Sequence, residues 1–365
     1  MVCSKAPVVS RTQCSGCFRP SVSEWSRKLV QFTDQDRVHP RGPEKYFQTR
    51  REMQQELVDG ILIAPWSVCT ESCPYLVAIQ LSTIEMSDER MRTRTTWASV
   101  AKTSFWPHRR MNADLKIVFV VAHKIPDVTV KLRGREATLP SEKQWRQLTT
   151  ESDLHGDILY LDMIDSYPNL TLKVMSSLKW LSEHCLRTKY FLKVDTDTFV
   201  NVPLLLDLLI VNEEALSYSV LGYIINGSRT VAREGRWAVD RTIYPMAMYP
   251  FYAAGCAYVI SAQVARAIVA VSPYIPMLPI EDAYVTGVMT KVVKAQLFAH
   301  NELFTEFMDH LWQRCQMVLD TKIASTNSGG DQAMEIWSAI LVQNKTCFTA
   351  NTVSEEDLIN KIYSG

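Results

Sequence analysis

The segment Lys189-Tyr-Phe-Leu-Lys-Val-Asp195-Thr-Asp197-Thr-Phe-Val-Asn201 is an apolar run that passes directly into two carboxylates. Its first half, Tyr190–Val194, is predicted to be a strand, and ligands of open α/β sheets bind at the carboxyl ends of such strands. Acidic side chains at i and i+2 can face one hard cation there, with water and phosphate oxygens completing its shell. Asp-x-Asp is also common in solvated turns, so this prediction depends on the rest of the chain.

Short apolar runs alternate with longer amphipathic ones on both sides of this segment, which is typical of an α/β fold. Further strands are predicted at Tyr75–Leu81, Leu115–Ala122, Gly156–Leu161, Ser217–Ile225 and Ala257–Ser261. Helices are predicted at Asp88–Ala101, Leu170–Cys185 and Pro203–Leu209. The main domain is therefore expected to span 75–320, with a poorly defined extension at 1–74 and a second extension at 321–365.

Composition excludes several classes of partner. The chain has 365 residues, of which 47% are hydrophobic, enough to bury a substantial core. Lys+Arg and Asp+Glu both total 39, so there is no basic excess of the kind that attracts nucleic acid or anionic membranes. No run approaches about 18 uninterrupted apolar residues, the length of a membrane-spanning helix. The longest, Gly60–Trp66 and Lys116–Ala122, have the size of strands.

Cysteines and sequons favour the secretory pathway. The chain contains nine Cys, so at least one thiol is expected to be free. A zinc site is conceivable, but the segment between its two cysteine pairs is long and irregular, so disulfides or plain thiols are preferred. The candidate zinc ligands are Cys14, Cys17, Cys69 and Cys73. Three N-x-S/T sequons occur, at Asn169, Asn226 and Asn344.

Three other segments carry candidate site residues. Arg90 and Arg94 stand at i and i+4, so they share a helix face that could bind a diphosphate or could be a solvated basic face. The stretch Tyr249–Ser261 combines aromatic and small residues, which suit a sugar ring and a close backbone approach but also an aromatic core turn. Glu281 and Asp282 precede a helical pattern, where one could be a general base or both could complement the helix dipole.

Taken in order, these segments resemble the β-1,3-glycosyltransferase family, which includes β-1,3-galactosyltransferases and β-1,3-N-acetylglucosaminyltransferases. Arg90-x-x-x-Arg94-x-Thr-Trp97 is similar to the opening motif of the family. Two middle segments are close to its central signature, and the second is highly specific: Glu151–Ile158 and Asp162–Lys173. The Asp195-Thr-Asp197 segment resembles its metal motif, Tyr249–Ser261 its aromatic-glycine loop, and Glu281-Asp282 its acidic pair.

This resemblance implies a GT-A-type, Rossmann-like α/β fold with a mixed central sheet and an inverting reaction that makes a β-1,3 link. The implied donor is a UDP-sugar, the cofactor Mn²⁺, and the acceptor a glycan on a glycoprotein or glycolipid, with no nucleic-acid partner. It also implies a Golgi membrane protein with a lumenal catalytic domain, held by an anchor that is not present in this sequence.

The resemblance also assigns roles to particular residues. Asp282 would be the catalytic base with Glu281 beside it, and Asp195 and Asp197 would bind the metal, Asp195 also contacting substrate. The remaining substrate-binding candidates comprise two arginines and a lysine for the nucleotide, and two aromatic residues and a glycine at the sugar pocket: Arg90, Arg94, Lys173, Trp97, Tyr252 and Gly255.

Three features depart from the family pattern. Thr196 stands where the family has the middle of three consecutive acids. The aromatic loop is bulkier than usual, with Ala254, Cys256 and Ala257. A family histidine expected near Asp320–Ile323 is missing, and the nearest substitutes are His300 and His310. Two alternatives therefore stay open: transfer of N-acetylglucosamine or N-acetylgalactosamine in place of galactose, and a catalytically silent member that binds a nucleotide sugar.

Overall fold

The structure, a computed structural model, describes residues 29–32, 44–50, 54–69, 74–124, 130–132, 135–137, 141–225, 230–305, 315–343 and 347. Several residues singled out in the sequence lie outside these ranges: Cys14, Cys17, Cys73, Asn226, His310 and Asn344.

A nine-stranded mixed sheet forms the centre of the described part of the chain. Its strands are β1 (Val30–Phe32), β2 (Ile61–Ile63), β3 (Leu76–Leu81), β4 (Leu115–His123), β5 (Ile158–Ile164), β6 (Tyr190–Val194), β7 (Ser219–Ile225), β8 (Tyr252–Ser261) and β9 (Gln296–Ala299). Their order across the sheet is β1-β9-β7-β8-β6-β3-β4-β5-β2. Strands β3 to β6 are mutually parallel, whereas β8 is antiparallel to both of its neighbours. The predicted α/β fold with a mixed central sheet is confirmed.

Six helices of nine or more residues flank this sheet in the described ranges: α1 (Ser87–Thr95), α2 (Glu142–His155), α3 (Leu170–His184), α4 (Val202–Val211), α5 (Ala262–Val271) and α6 (Asp331–Leu341). Local signals fix several of their ends. Ser141 and Gln144 form a capping box at the start of α2, and Gly156 ends that helix at φ +67°. The side chain of Asn201 caps α4, and that of Ser261 caps α5.

The helix predicted at Asp88–Ala101 is wrong as a single element. The backbone leaves the helical region at Thr96, where φ is −107° and ψ is −119°. The Thr96 hydroxyl donates to the Arg92 carbonyl at 2.7 Å, which stabilises this break. A 3-10 turn at Trp97–Ser99 and a short helix at Val100–Thr103 follow. The break directs the Trp97 side chain into the core.

Apolar side chains form one core on each face of the sheet, because successive strand residues point to opposite faces. Val118 and Val120 of β4 belong to the core that packs against α3 and α5. Ile117 and Phe119 belong to the core that packs against α4. The first core also receives the helix at Ala283–Met289, a π-helix that directly follows the acidic pair.

The described parts of both predicted extensions pack against this sheet. Strands β1 and β2 precede residue 75, yet they pair with β9 and β5 at its two edges. A disulfide joins Cys69 to Cys185 at the end of α3, so Cys69 is not a zinc ligand. Beyond residue 320, Ile323 and Ile336 enter the core, and a second disulfide joins Cys315 to Cys347. The preference for disulfides is confirmed, and the boundaries at 74 and 320 remain predictions.

Asn169 is held in a manner that does not suit glycosylation. Its side-chain nitrogen, the atom that would carry a glycan, donates to the Ile164 carbonyl at 2.9 Å, and the residue is half-buried. Attachment of a glycan at this sequon would therefore require the hydrogen bond to Ile164 to break.

No helix in the described ranges has the length and apolar character needed to cross a membrane.

Candidate active site

A cavity of about 680 Å³ lies where the carboxyl ends of four parallel strands meet. Leu81 and Ala122 line it from the ends of β3 and β4, and Asp165 lines it from the turn after β5. Asp195 and Asp197 line it from the turn after β6. This is the sheet edge at which open α/β folds bind ligands, as the Asp-x-Asp segment predicts.

Backbone hydrogen bonds fix the turn that carries the two aspartates. The Asp195 amide donates to the Cys256 carbonyl at 3.0 Å, and the Ser328 amide donates to the Asp197 carbonyl at 2.7 Å. Gly329 lies so close that an added Cβ would be 3.3 Å from the Cα of Asp197. Burial raises the pKa of Asp197, and the neighbouring charge of Asp195 raises it further. Charge repulsion of this kind would be relieved by a cation.

The two carboxylates fit a hard divalent cation that takes its other ligands from a diphosphate and water, since such cations prefer oxygen. A third protein ligand is not found, because the described residues include no cluster of three or more His, Cys, Asp or Glu side chains suited to a metal. His300 is buried just after β9 and is not among the residues that line the cavity. Asp320, where the family histidine was expected nearby, accepts a hydrogen bond from Asn201.

A buried lysine, Lys193, joins the aspartate turn to the acidic pair. Its ammonium donates to Asp195 Oδ1 at 2.6 Å and to the Gly255 carbonyl at 2.5 Å. It also lies 3.3 Å from Glu281 Oε2. Burial opposes its positive charge, but Asp195 and Glu281 outweigh burial and raise the pKa of Lys193 above its ordinary value. The sequence analysis missed this role, although a lysine inside an otherwise apolar strand was a usable signal.

The two members of the acidic pair differ in their surroundings. Glu281 is buried, and its Oε1 accepts from the Tyr258 hydroxyl at 2.5 Å. Burial raises the pKa of Glu281 to about 7, and the charge of Lys193 opposes this rise. Asp282 is half-buried and thus the more exposed residue of the two, although neither is among the residues that line the cavity.

Backbone amides orient the Asp282 carboxylate. Its Oδ2 accepts from the Gly255 amide at 3.0 Å, and its Oδ1 accepts from the Ala283 amide at 2.8 Å. Burial raises the pKa of Asp282, and the hydrogen bond from Ala283 opposes this rise. A Cβ at position 255 would lie 3.3 Å from Oδ2, so glycine permits this close approach.

Arg90 and Arg94 do not line the cavity, contrary to the role expected of them. The Arg90 guanidinium donates to both oxygens of Glu151, at 2.8 and 2.7 Å, and to Ser82 Oγ at 3.0 Å. Arg94 donates to both oxygens of Asp157, at 2.8 and 2.7 Å, and to Glu151 at 2.7 Å. The i, i+4 spacing does place both arginines on one helix face, but that face meets Glu151 of α2 and Asp157, the residue that precedes β5. They form a buried ion network that holds α1 to the sheet.

Three other predicted substrate-binding residues are likewise not among the residues that line the cavity. Trp97 is buried in the core on the α4 face. Lys173 is buried and donates to the Ser82 carbonyl at 2.7 Å and to Asp165 Oδ2 at 2.6 Å, so it orients a carboxylate that lines the cavity. Burial lowers the pKa of Lys173, and Asp165 opposes this change. Tyr252 is buried against Gly287, where an added Cβ would be 3.0 Å from the Tyr252 Cβ.

The cations that do line the cavity are Lys124 and Arg236. The guanidinium carbon of Arg236 lies 4.8 Å from the centroid of the Tyr167 ring, which also lines the cavity. Sequence reasoning missed both residues. Arg236 belongs to a long connection between β7 and β8 that has neither helical nor strand periodicity, so no local signal placed it at the site.

Comparison with known proteins identifies the family. Residues 88–300 match the galactosyltransferase family, and the chain belongs to it. It is 32% identical over 218 residues to human β-1,3-galactosyltransferase 1, an alignment that covers 60% of this chain and 60% of that protein. It is 28% identical over 228 residues to human β-1,3-galactosyltransferase 5, covering 62% of this chain and 66% of that protein. The alignments thus span less than the full length of these relatives, and the family predicted from the motifs is confirmed.

Likeness to solved structures is more distant. A glycosyltransferase involved in the glycosylation of the major capsid of PBCV-1 is 8% identical, with a TM-score of 0.33 over 72% of this chain and 98% of that chain. S. aureus TarS 1-349 is 12% identical, with a TM-score of 0.33 over 78% of this chain and 76% of that chain.

Proposed function

We propose that this chain is a β-1,3-galactosyltransferase, which moves a hexose from a UDP-sugar to the 3-hydroxyl of an acceptor glycan with inversion. The observation that carries the proposal is the meeting of Asp195, Asp197 and Asp282 around Lys193 and Gly255 at one sheet edge. N-acetylglucosamine and N-acetylgalactosamine are the alternative donor sugars, since their transfer requires the same groups. A panel of UDP-sugars distinguishes among the three.

The cavity suits the nucleotide diphosphate of the donor. Arg236 and Lys124 offer positive charge along its wall. Asp195 and Asp197 would hold Mn²⁺, which when bound supplies a Lewis acid that neutralises charge on the departing diphosphate. The Lys193 ammonium orients the Asp195 carboxylate, because it donates a hydrogen bond to Asp195 Oδ1.

Asp282 is proposed as the general base. Its carboxylate accepts the proton of the acceptor hydroxyl, whose oxygen attacks C1 of the donor sugar while the bond from C1 to the UDP oxygen breaks. The amides of Gly255 and Ala283 hold the carboxylate in place for this transfer. Glu281 does not suit this role, because it is buried between Tyr258 and Lys193.

A secretory location is part of the proposal. Disulfides form and persist in oxidising compartments, and two lie among the described residues. The family resemblance narrows this location to the Golgi membrane, with a lumenal catalytic domain that acts on glycoproteins or glycolipids.

Two isosteric variants test the base. Asp282→Asn keeps the shape and removes the basicity, so transfer should fall by about 10²–10⁴-fold while affinity for UDP and Mn²⁺ is retained. Glu281→Gln should lose less activity, because its carboxylate supports Lys193 and is not expected to accept the proton. Transfer is measured with UDP-galactose and a panel of methyl glycosides, and UDP binding by calorimetry.

If Glu281→Gln is inactive and Asp282→Asn remains active, Glu281 is the general base and Asp282 the supporting carboxylate. A parent protein that binds UDP with Mn²⁺ but transfers none of the three sugars would instead be a catalytically silent nucleotide-sugar binder. That second outcome would refute the proposed activity.

A further inference from the structure

The described part of the connection between β7 and β8, residues 230–251, has its conformation set by internal hydrogen bonds. Its two sides are joined at a bridge between Thr230 and Met248, and the Val231 amide donates to the Ala247 carbonyl at 2.8 Å. The Arg233 guanidinium donates to three carbonyls of the same loop at 2.6 to 2.9 Å, those of Val239, Tyr244 and Met246. Such a loop holds the residues at its tip in fixed positions.

The tip of this loop presents Arg236 and Trp237 side by side. Gly235 has φ +80°, and the Ala238 amide donates to the Gly235 carbonyl at 3.2 Å, so the two residues occupy the central positions of a tight turn. Arg236 lines the nucleotide cavity. The Trp237 side chain is outside this lining and 58% exposed.

Trp237 contacts Tyr167, which lines the cavity. Its indole is close enough to the Tyr167 hydroxyl to lower the pKa of Tyr167 by hydrogen bonding, although burial, the larger effect, raises it. The charges of Asp282 and Asp195 also act on Tyr167 and raise its pKa. Tyr167 is therefore near the base, near the aspartate turn and in contact with the loop tip. Trp237 therefore exposes its indole beside Tyr167, a residue that lines the cavity and feels the charge of Asp282.

We propose that Trp237 is the platform on which the acceptor sugar stacks while its hydroxyl faces Asp282. The ligand is a neutral pyranose, whose apolar C–H face matches an aromatic ring and which needs no counter-charge. Arg236, the preceding residue of the turn, would bind the diphosphate. One turn would then position both the donor and the acceptor. This inference rests on the proposed function.

The test compares Trp237→Ala and Trp237→Phe with the parent. Phe105→Ala is the matched control, since Phe105 is also an aromatic residue that is 57% exposed, but it pairs with Arg110 in a separate hairpin and belongs neither to the cavity lining nor to the loop of Arg236. The KM of methyl β-glycosides of galactose and N-acetylglucosamine is measured with saturating UDP-galactose and Mn²⁺. We expect an increase of about tenfold in Trp237→Ala, most of it recovered in Trp237→Phe. UDP affinity should stay within about twofold of the parent, and Phe105→Ala should leave both quantities unchanged.

Two results would overturn the platform. One is an unchanged acceptor KM in Trp237→Ala. The other is an equal loss of UDP affinity, which would mean that Trp237 acts only by positioning Arg236.

Failure of the proposed activity is distinguishable from failure of the platform. If the parent transfers no sugar, saturation-transfer NMR of the same glycosides with UDP-loaded protein still decides the matter. Signals that are present in the parent and lost in Trp237→Ala support the platform, and signals that are absent in the parent or unchanged in the variant refute it.

Discussion

Replacing Lys193 with methionine should destabilise the protein by about 3–5 kcal/mol at pH 8, the usual cost of removing one partner from a buried ion pair. The side chains of Lys193 and Glu281 are only 4% and 7% exposed, so Glu281 would keep a buried charge with no cation beside it. Asp195 is 41% exposed and would be rehydrated, so the loss of its partner adds little. Methionine fills similar volume, which keeps the cavity contribution small.

The sign of the pH dependence follows from Glu281. Its folded-state pKa is raised to about 7 from 4.5, and Lys193 opposes that rise. Removing Lys193 therefore raises the pKa further, and below that pKa the carboxyl takes up a proton and loses its uncompensated charge. The destabilisation should be clearly larger at pH 8 than at pH 6.

The assay is urea unfolding of four proteins at both pH values: the parent, Lys193→Met, Glu281→Gln and the double variant. In the Glu281→Gln background the lysine substitution should cost less, giving a coupling free energy of about 1–3 kcal/mol at pH 8. Additive losses, or an equal loss at both pH values, would refute the idea that the lysine compensates a buried glutamate.

Two further predictions concern activity. The kcat/KM for transfer should fall at acidic pH, since burial raises the pKa of Asp282 above its ordinary value and a base works only unprotonated; a pH–rate profile that stays flat down to the pH at which circular dichroism shows unfolding would contradict it. Asp197→Ala should abolish the gain in UDP affinity that Mn²⁺ produces in the parent, whereas the exposed Asp153→Ala should retain it; calorimetry with and without Mn²⁺ decides, and an undiminished Mn²⁺ effect in Asp197→Ala would remove this residue from the metal site.

Sequence patterns predicted the centre of the sheet because its strands are nearly continuous apolar runs. Strands β3, β4 and β6 have apolar residues at almost every position, as strands buried on both faces must. Strands β1 and β2 have three residues each and lie at the sheet edges, so their existence depends on pairing partners distant in sequence. No local pattern specifies that pairing.

The site was only partly predictable for a related reason. Motif spacing identified four acidic candidates because they lie close together in two short segments of the sequence: Asp195, Asp197, Glu281 and Asp282. Helical spacing gave Arg90 and Arg94 a common face, but it carries no information about which element that face meets, and here the partners are carboxylates. Arg236 and Trp237 are placed by hydrogen bonds within a loop of no periodicity, which only the fold reveals.

The two edges of the central sheet have a practical consequence for making the protein. Both outermost strands come from the segment before residue 75, with β1 covering β9 and β2 covering β5. A recombinant fragment that began at residue 75 would leave the backbone of both inner strands without their partners, and bare strand edges are templates for association between chains. It would also lack Cys69, so Cys185 would lose its disulfide partner. Fragments intended for crystallisation or enzyme assay should therefore include β1 and β2.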